Sequence, residues 1–570
     1  MKHLTQQNRF IRLGAADGRA GLLRYVMLFF LGLAVLVPGI GQLPPIDRDE
    51  ARYVQSTKQM VESGDYVDIR FQNQPRYKKP IGVYWLQSLT VSLTGEGGEA
   101  PIAAYRIVSV IAVAASVAAL YWVGQALFGH TAGLIAALML AGMFGAGFEG
   151  RLAKTDSVLL LLTIVAQGCL ARTYVANRED KEVPGQLVWL FWIAQGASIL
   201  VKGPITPLVS ALTVLFIVIF DRGRSRAWLS DLKPLRGLAL AVLIALPWLL
   251  LITWKSGAAF WQEAIGRDML AKVASGQESH GAPPGYYILT YSLLMWPFGL
   301  IAVIGGTHAL RRMFADARMM FCVAWYLPLW LFFELIPTKL PHYVLPSYPA
   351  ILLLGGWFLG LAASEAPKPL MWQRILHGLT GFGVIVVTIA FASLAIIVPV
   401  YIAGSFSFWS IPVVLLLVMA CWFSLGYGLE LAPVRRVLVA TLTATTAYGL
   451  AFSAILPQVD EMWVSRQIVE RFEAEKACAD SVLASVTYHE PSLVFLAGTE
   501  TLLTGPGSAA EYLLSDPDCA IAAVPEEDAP AFLTALSAGG ARAEGGEPIS
   551  GFNYSKGRRL SITLYRITGQ

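Results

Sequence analysis

Apolar residues run through the first four-fifths of the chain in stretches of helical length, with no alternation. Counting runs long enough to span a bilayer predicts about thirteen helices, over 24–43, 103–127, 131–148, 157–175, 187–201, 204–220, 236–254, 287–308, 319–336, 344–362, 376–400, 408–429 and 436–456. The segment 44–102 interrupts this series and is long for a connection, a length that goes with structured, functional loops. Within it EARYVQSTKQMVE (50–62) predicts a short helix, ended by the Ser63-Gly64-Asp65 turn. An extended stretch, YVDIRFQNQPRYKKP, follows, then a second helix in IGVYWLQSLTVSLTG. That helix is too short to span. Its expected place is the bilayer interface, with Tyr84 and Trp85 at headgroup depth.

The pattern changes at about residue 457. Short apolar runs (SVLASVTYH, SLVFLAG, CAIAAVP, SITLYRI) alternate with helical stretches (SRQIVERFEAEKA, APAFLTALSAG), which predicts a small α/β domain over 457–570 behind a membrane domain over 1–456. Composition agrees, since 55% of residues are hydrophobic and only 14% charged. The net charge of +4 hides an asymmetry: from Pro457 onward eight Lys/Arg face sixteen Asp/Glu, so the tail is acidic and the membrane body basic. The fold class expected is a polytopic all-α membrane protein with a small C-terminal α/β domain. A cleaved signal peptide is not expected, because the first apolar run is long enough to span and no small-residue cleavage pattern follows it. Cys169, Cys322 and Cys421 fall in apolar runs and read as small hydrophobes; Cys478 and Cys519 are open to a disulfide or to two buried thiols.

Orientation follows from Lys/Arg in short loops. Lys2, Arg9, Arg12, Arg19 and Arg24 precede the first span, and the same side collects Arg178, Lys181, Arg222, Arg224, Arg226, Lys233, Arg236, Arg311, Arg312, Arg318, Lys368, Arg374, Arg435 and Arg436. The N-terminus is therefore expected in the cytoplasm, and an odd number of spans puts the tail outside. Loop 44–102 breaks the rule with Arg48, Arg52, Lys58, Arg70, Arg76, Lys78 and Lys79 on the outer side, as though positive charge were kept there for a ligand.

The same count brings the unusual charges to one face. Asp49, Glu50, Arg52, Lys78 and Lys79 follow span 1, and GFEGRLAKTDS carries Glu149, Arg151, Lys154 and Asp156. Lys202 lies in LVKGP, Arg267 and His280 lie between spans 7 and 8, and PTKLPHYVLP brings Lys339, His342 and Tyr343. Charges at the membrane boundary mark function or internal pairing. Each has a plainer explanation: Asp49, Glu50 and Asp156 as helix-start acids, Lys202 as a snorkelling side chain, His280 as a structural loop histidine. Acids beside several fixed cations at the lipid boundary suit an anionic group on a lipid tail, and polyprenyl phosphates fit that description. No HxxxH or cysteine cluster indicates a metal, and no phosphate-binding loop indicates a nucleotide.

The order Asp49-Glu50-Ala51-Arg52-Tyr53, SGDYV, RYKKPIGVYW, LAKTDS, LVKGP and TKLPHYVLPSYP resembles the GT-C membrane glycosyltransferases, above all the lipid A aminoarabinose transferases and the protein O-mannosyltransferases. The resemblance covers essentially the whole chain. It implies a bacterial inner-membrane enzyme, expected as a monomer, that moves a sugar from a polyprenyl phosphate to an outer-leaflet acceptor, lipid A or lipopolysaccharide core, or else a protein. It implies catalytic acids at Asp49, Glu50 and Asp156, donor-phosphate cations at Lys79, Lys202, Arg267 and Arg52, and substrate contacts from Tyr53, Lys78, Tyr343, His342 and Lys339. The aminoarabinose transferases have Glu before the KP lysine where this chain has Lys78, so a metal site built on that Glu is not expected. No nucleic acid partner is expected.

Chemistry alone points the same way. Expelling a polyprenyl phosphate from an anomeric carbon requires stabilised departing charge, and a base on the opposite side of the sugar gives inversion. The competing class is a transporter of lipid-linked sugars, which would place polar groups at mid-membrane in repeated halves; neither feature is present in the sequence.

Overall fold

The computed structural model describes residues 18–221, 226–274, 281–361, 368–426 and 429–569; His280, Arg222 and Arg224 lie outside them. Six helices among these residues are long and apolar enough to cross a membrane: Ile102–Phe128, Asp156–Arg178, Trp228–Ser256, Ala317–Leu335, Met371–Ile402 and Pro433–Gln458. Gly18–Leu36, His130–Gly142, Gly185–Lys202, Ile205–Phe220 and Ser410–Leu425 are further helices of the bundle. Met371–Ile402 and the Pro234–Ser256 helix turn rows of Leu, Ile and Val outward, as lipid-facing helices do.

Several runs that read as single spans are broken, and two of the breaks meet, where the Phe144 N–H donates to the Trp296 carbonyl at 2.9 Å. The run 131–148 stops at Gly142, passes through an extended Met143 and restarts as Phe144–Glu149. The run 287–308 divides into Tyr286–Leu294 and Gly299–Arg312, with Pro297 between them. The run 344–362 begins as a 3-10 turn, Pro341–Ser347, before Tyr348–Leu359. Irregular backbone of this kind is tolerated in a membrane protein only where protein or a cavity satisfies it.

Both helices expected in the long loop form, as Asp49–Ser63 and Gly82–Ser92. Asp49 and Glu50 in the first turn suit the helix dipole, and Gly64, at φ 68°, ends the helix in the left-handed conformation that glycine adopts without strain. Between the two helices lies a two-residue hairpin, β1 (Arg70–Phe71) against β2 (Gln74–Pro75). Tyr84 is fully buried and hydrogen-bonds Arg76, because this face of the helix packs into the protein. Trp85 is exposed, as are Leu86 and Leu89, and its indole N–H donates to the Tyr66 carbonyl. Gly82 allows this packing; a Cβ there would meet the Leu200 carbonyl oxygen at 2.8 Å.

Beyond residue 463 the chain forms β3 (Leu483–Val486), β4 (Leu502–Thr504), β5 (Ile521–Pro525), β6 (Arg542–Gly545), β7 (Ile549–Asn553) and β8 (Arg558–Gly569). Their order is β4-β3-β5-β8-β6, with β7 also paired to β8; β3 is parallel to β4 and β5, and the remaining pairings are antiparallel. The SLVFLAG run, read with the strands, is a helix, Pro491–Ala497, with proline at its first turn. A seven-residue apolar run does not distinguish the two by period. Cys478 and Cys519 form a disulfide.

Candidate active site

Glu50 and Asp49 are neighbours with opposite surroundings. Glu50 is buried, and both its oxygens are bound by Arg106 at 2.8 Å. It also accepts the backbone N–H groups of Ile46 (2.9 Å) and Ala153 (2.8 Å). Arg106 spends its remaining donors on the carbonyls of Ile40, Leu43 and Pro44. The pair thus ties the end of the first span, the 151–156 turn and the long loop together. It leaves no lone pair free for chemistry, and Glu50 is a structural acid instead of the catalytic one expected.

Asp49 is exposed, and among the described residues its carboxylate has no hydrogen bond or ion pair. Burial by neighbouring groups works to raise its pKa, but the charges of Lys154, Arg76 and His342 outweigh that and Asp156, so it is held below the usual carboxylate range. Around it the broken helix ends bring in their charges. Lys154 pairs with Glu149 at 2.9 Å. His342 lies between two acids, Nδ1 3.6 Å from Glu149 and Nε2 3.7 Å from Asp156. Burial still lowers its pKa, against the pull of both acids. For Lys154 burial is overcome by Glu149 and Asp156, and its ammonium is held firmly charged.

Asp156 accepts from Lys202 Nζ at 2.6 Å, and Lys202 stands 5.8 Å from the Tyr343 ring. Lys79 bonds Asp268 at 2.6 Å, and Asp268 in turn holds Lys272 at 2.5 Å. Burial depresses Lys79 to about 8; Asp268 opposes the shift, while Lys272 and Lys202 add to it. Arg76 lies 4.5 Å from the Tyr53 ring centroid, one helical turn from Asp49. The result is a continuous band of alternating charge from Asp49 through Lys154, Glu149, His342, Asp156 and Lys202, with Lys79 and Asp268 near its far end.

The structure thus gathers Asp49, Asp156, Lys202, His342 and Tyr343, with Lys79 near Lys202 and Tyr53 beneath Arg76. Lys78 is half-buried beside Lys79, and Arg52 is half-buried on the helix after Asp49. Two expected residues lie elsewhere. Arg267 is 83% exposed on the π-wound segment Gln262–Leu270 and among the described residues pairs with Glu263 at 3.5 Å, while the neighbouring Asp268 faces the lysines. Lys339 is buried with Nζ donating to the carbonyls of Phe333, Glu334 and Ile336, where it caps the broken end of the Ala317–Leu335 helix. Sequence reasoning missed Arg76, Arg106 and Asp268 as partners. A lone arginine in the run 103–127 is a signal that could have found Arg106.

Residues 78–251 match the dolichyl-phosphate-mannose-protein mannosyltransferase family. The undecaprenyl phosphate-α-4-amino-4-deoxy-L-arabinose arabinosyl transferase of Aeromonas salmonicida is 28% identical over 535 residues, which cover 89% of this chain and 90% of the relative. That of Edwardsiella ictaluri is 26% identical over 371 residues, 64% of each chain. In three dimensions the chain superposes on ArnT from Cupriavidus metallidurans, solved bound to undecaprenyl phosphate, with TM-score 0.72 and 16% identity over 96% of this chain and 98% of that one. The archaeal oligosaccharyltransferase AglB from Archaeoglobus fulgidus gives 0.51 at 11% identity, over 96% of this chain and 74% of that one. In sequence this chain resembles the aminoarabinose transferases over most of its length, and its fold is similar to that of ArnT.

Proposed function

We propose that this protein transfers a sugar from a polyprenyl phosphate to a lipid A-type acceptor, at the charged band between Asp49 and Lys79. The observation that carries this is an unbonded, ionised carboxylate, Asp49, at one end of a band whose other end holds Lys79 and Lys202. Lys79 and Lys202 bind and neutralise the departing polyprenyl phosphate. Each is held in place by an acid, Asp268 or Asp156, that a phosphate dianion can displace. Asp49 positions the acceptor on the opposite face of the sugar, which gives inversion. Relatives that act on undecaprenyl phosphate-linked aminoarabinose support this donor class.

The depressed pKa of Asp49 bears on the acceptor. A weakly basic carboxylate is a poor group for taking a hydroxyl proton but a good one for orienting a substrate through hydrogen bonds. An acceptor that is already an ionised phosphate needs no base, and the cations Arg76 and Lys154 beside Asp49 suit it. We also propose that the remaining apolar helices cross the bilayer, with about thirteen spans, a cytoplasmic N-terminus and the tail beyond Pro457 outside. A reporter active only outside the cytoplasm, fused after Gln570, tests that topology by being active.

Purified protein in lipid, given labelled undecaprenyl phosphate-linked aminoarabinose and extracted lipid A, is expected to form labelled lipid A, and Asp49→Asn to abolish this with donor binding retained. Labelled protein in place of lipid would move the assignment to a protein O-glycosyltransferase. Donor crossing the bilayer without transfer would move it to a transporter.

A further inference from the structure

The turn that joins β7 to β8 reads Asn553-Tyr554-Ser555-Lys556-Gly557-Arg558-Arg559, and it places three of the tail's eight cations within four positions of an otherwise acidic region. All three are exposed. Arg558 reaches Glu527 at 3.1 Å, but both side chains are half exposed or more, so the pair is screened and easily exchanged. Arg559 donates to the Tyr401 carbonyl at 3.0 Å and stands 5.8 Å from its ring.

Tyr401 belongs to the last turn of Met371–Ile402, the lipid-facing apolar helix, and is 69% exposed. Phe406, Phe408 and Trp409 follow it, all exposed, before the next apolar helix begins at Ser410. Aromatic side chains at the ends of apolar helices occupy headgroup depth. The basic turn is therefore fastened to the aromatic end of this apolar helix. The same turn holds the chain just before Asp49: the Tyr554 hydroxyl accepts from the Asp47 backbone N–H at 2.8 Å, and the Arg48 guanidinium donates to the Ser555 carbonyl at 2.7 Å.

We infer that the β7–β8 turn, with Tyr401 and the 406–409 aromatics, is a binding site for the phosphate of an anionic lipid in the adjoining leaflet. Charge complementarity selects this occupant: Lys556 and Arg559 face a surface rich in phosphate, and the aromatics take the glycerol and upper acyl region. Bound lipid sits against the segment that leads into Asp49, so the leaflet from which the acceptor comes also steadies the first residues of the site. The inference rests on the membrane reading above. Its test involves no sugar transfer, so the two can fail separately.

The full-length protein in phosphatidylcholine nanodiscs is supplied with a photoreactive phosphatidylglycerol or with the same photoreactive group on phosphatidylcholine, and adducts are mapped by mass spectrometry. The anionic probe is expected to label 401–409 and 553–559 preferentially. A cation at a membrane surface changes lipid affinity by about fivefold, so Lys556→Ala and Arg559→Ala together should cut the labelling about 25-fold. Arg559→Lys, which retains the charge, should preserve it and separates lost charge from a disturbed turn. Equal labelling by both probes, or unchanged labelling in the double variant, overturns the inference.

Discussion

Two groups of charge stand side by side at one end of this bundle, and they differ in how fully each is satisfied. Around Glu50 every lone pair and every guanidinium donor of Arg106 has a protein partner. Around Asp49 the cations are bound to other groups, Lys154 to Glu149 and Arg76 to Tyr84, and the carboxylate itself makes no bond among the described residues. The two acids are adjacent in sequence and begin the same helix, so neither propensity nor position along the chain separates them. Partner count does. A saturated knot of charge holds backbone together, whereas an unsaturated one keeps capacity for a ligand.

That contrast is open to direct attack. The largest effect expected is that of Asp49→Asn, a loss of about 10²-fold in turnover from a misplaced acceptor with thermal stability unchanged; a steady-state assay beside a melting curve reads both, and a stability loss would erase the distinction. Glu50→Gln should do the reverse. It leaves Arg106 buried without its counter-charge, a change that costs about 3–5 kcal/mol, so the yield of folded protein should collapse. Replacing Arg106 by Met in the same chain should restore part of it. Normal yield from Glu50→Gln alone would show that the knot is not structural.

At the far end of the band the expected effects are smaller. Lys79→Ala should weaken donor binding by about 10- to 150-fold, the worth of a hydrogen bond between charged groups, and Lys78→Ala by less. Because burial brings the Lys79 pKa down to about 8, its ammonium is lost as pH rises through that value. Donor affinity in the native protein should therefore fall above about pH 8, and in Lys79→Ala that limb should disappear. A titration calorimeter reads both, and an unchanged limb in the variant would assign it to another group.

The smallest effect is at Asp47, which burial raises to about 6, with Glu490 adding to the shift and hydrogen bonds from Ser492 and Tyr554 opposing it. A carboxyl raised in the folded state binds its proton more tightly there than in the unfolded chain. Its contribution to stability is thus full below about pH 4 and is lost as pH climbs through 6. Asp47→Asn should raise the melting temperature at pH 7 and make no difference at pH 4.

The common face of these charges was legible in the sequence, because the Lys/Arg count that orients the loops also sorts Asp49, Asp156, Lys202 and His342 together. Helices Asp49–Ser63 and Gly82–Ser92 were legible through their turn residues and apolar spacing. What the sequence hid was pairing. Nothing local announces that Asp268 will meet Lys79 across 189 positions, or that its neighbour Arg267 will face solvent. Lys339 looked like a ligand cation because a lysine that caps carbonyls and one that binds phosphate have the same composition and setting. Tyr84 looked exposed because an eleven-residue apolar helix does not announce which of its faces packs on protein, and the close approach at Gly82 decides it.

Arg48 adopts φ 71° and ψ −91°, a backbone conformation that a residue with a side chain keeps only under restraint. The restraint comes from Tyr554 and Ser555, 507 residues later in the chain. During synthesis, then, the first loop leaves the bilayer long before the groups that shape it exist. The membrane helices can be assembled while the entry to Asp49 is still slack, and the last stretch of polypeptide to be made sets it. A C-terminally clipped chain would carry every charge in the band and still lack the two residues that hold Asp47 and Arg48.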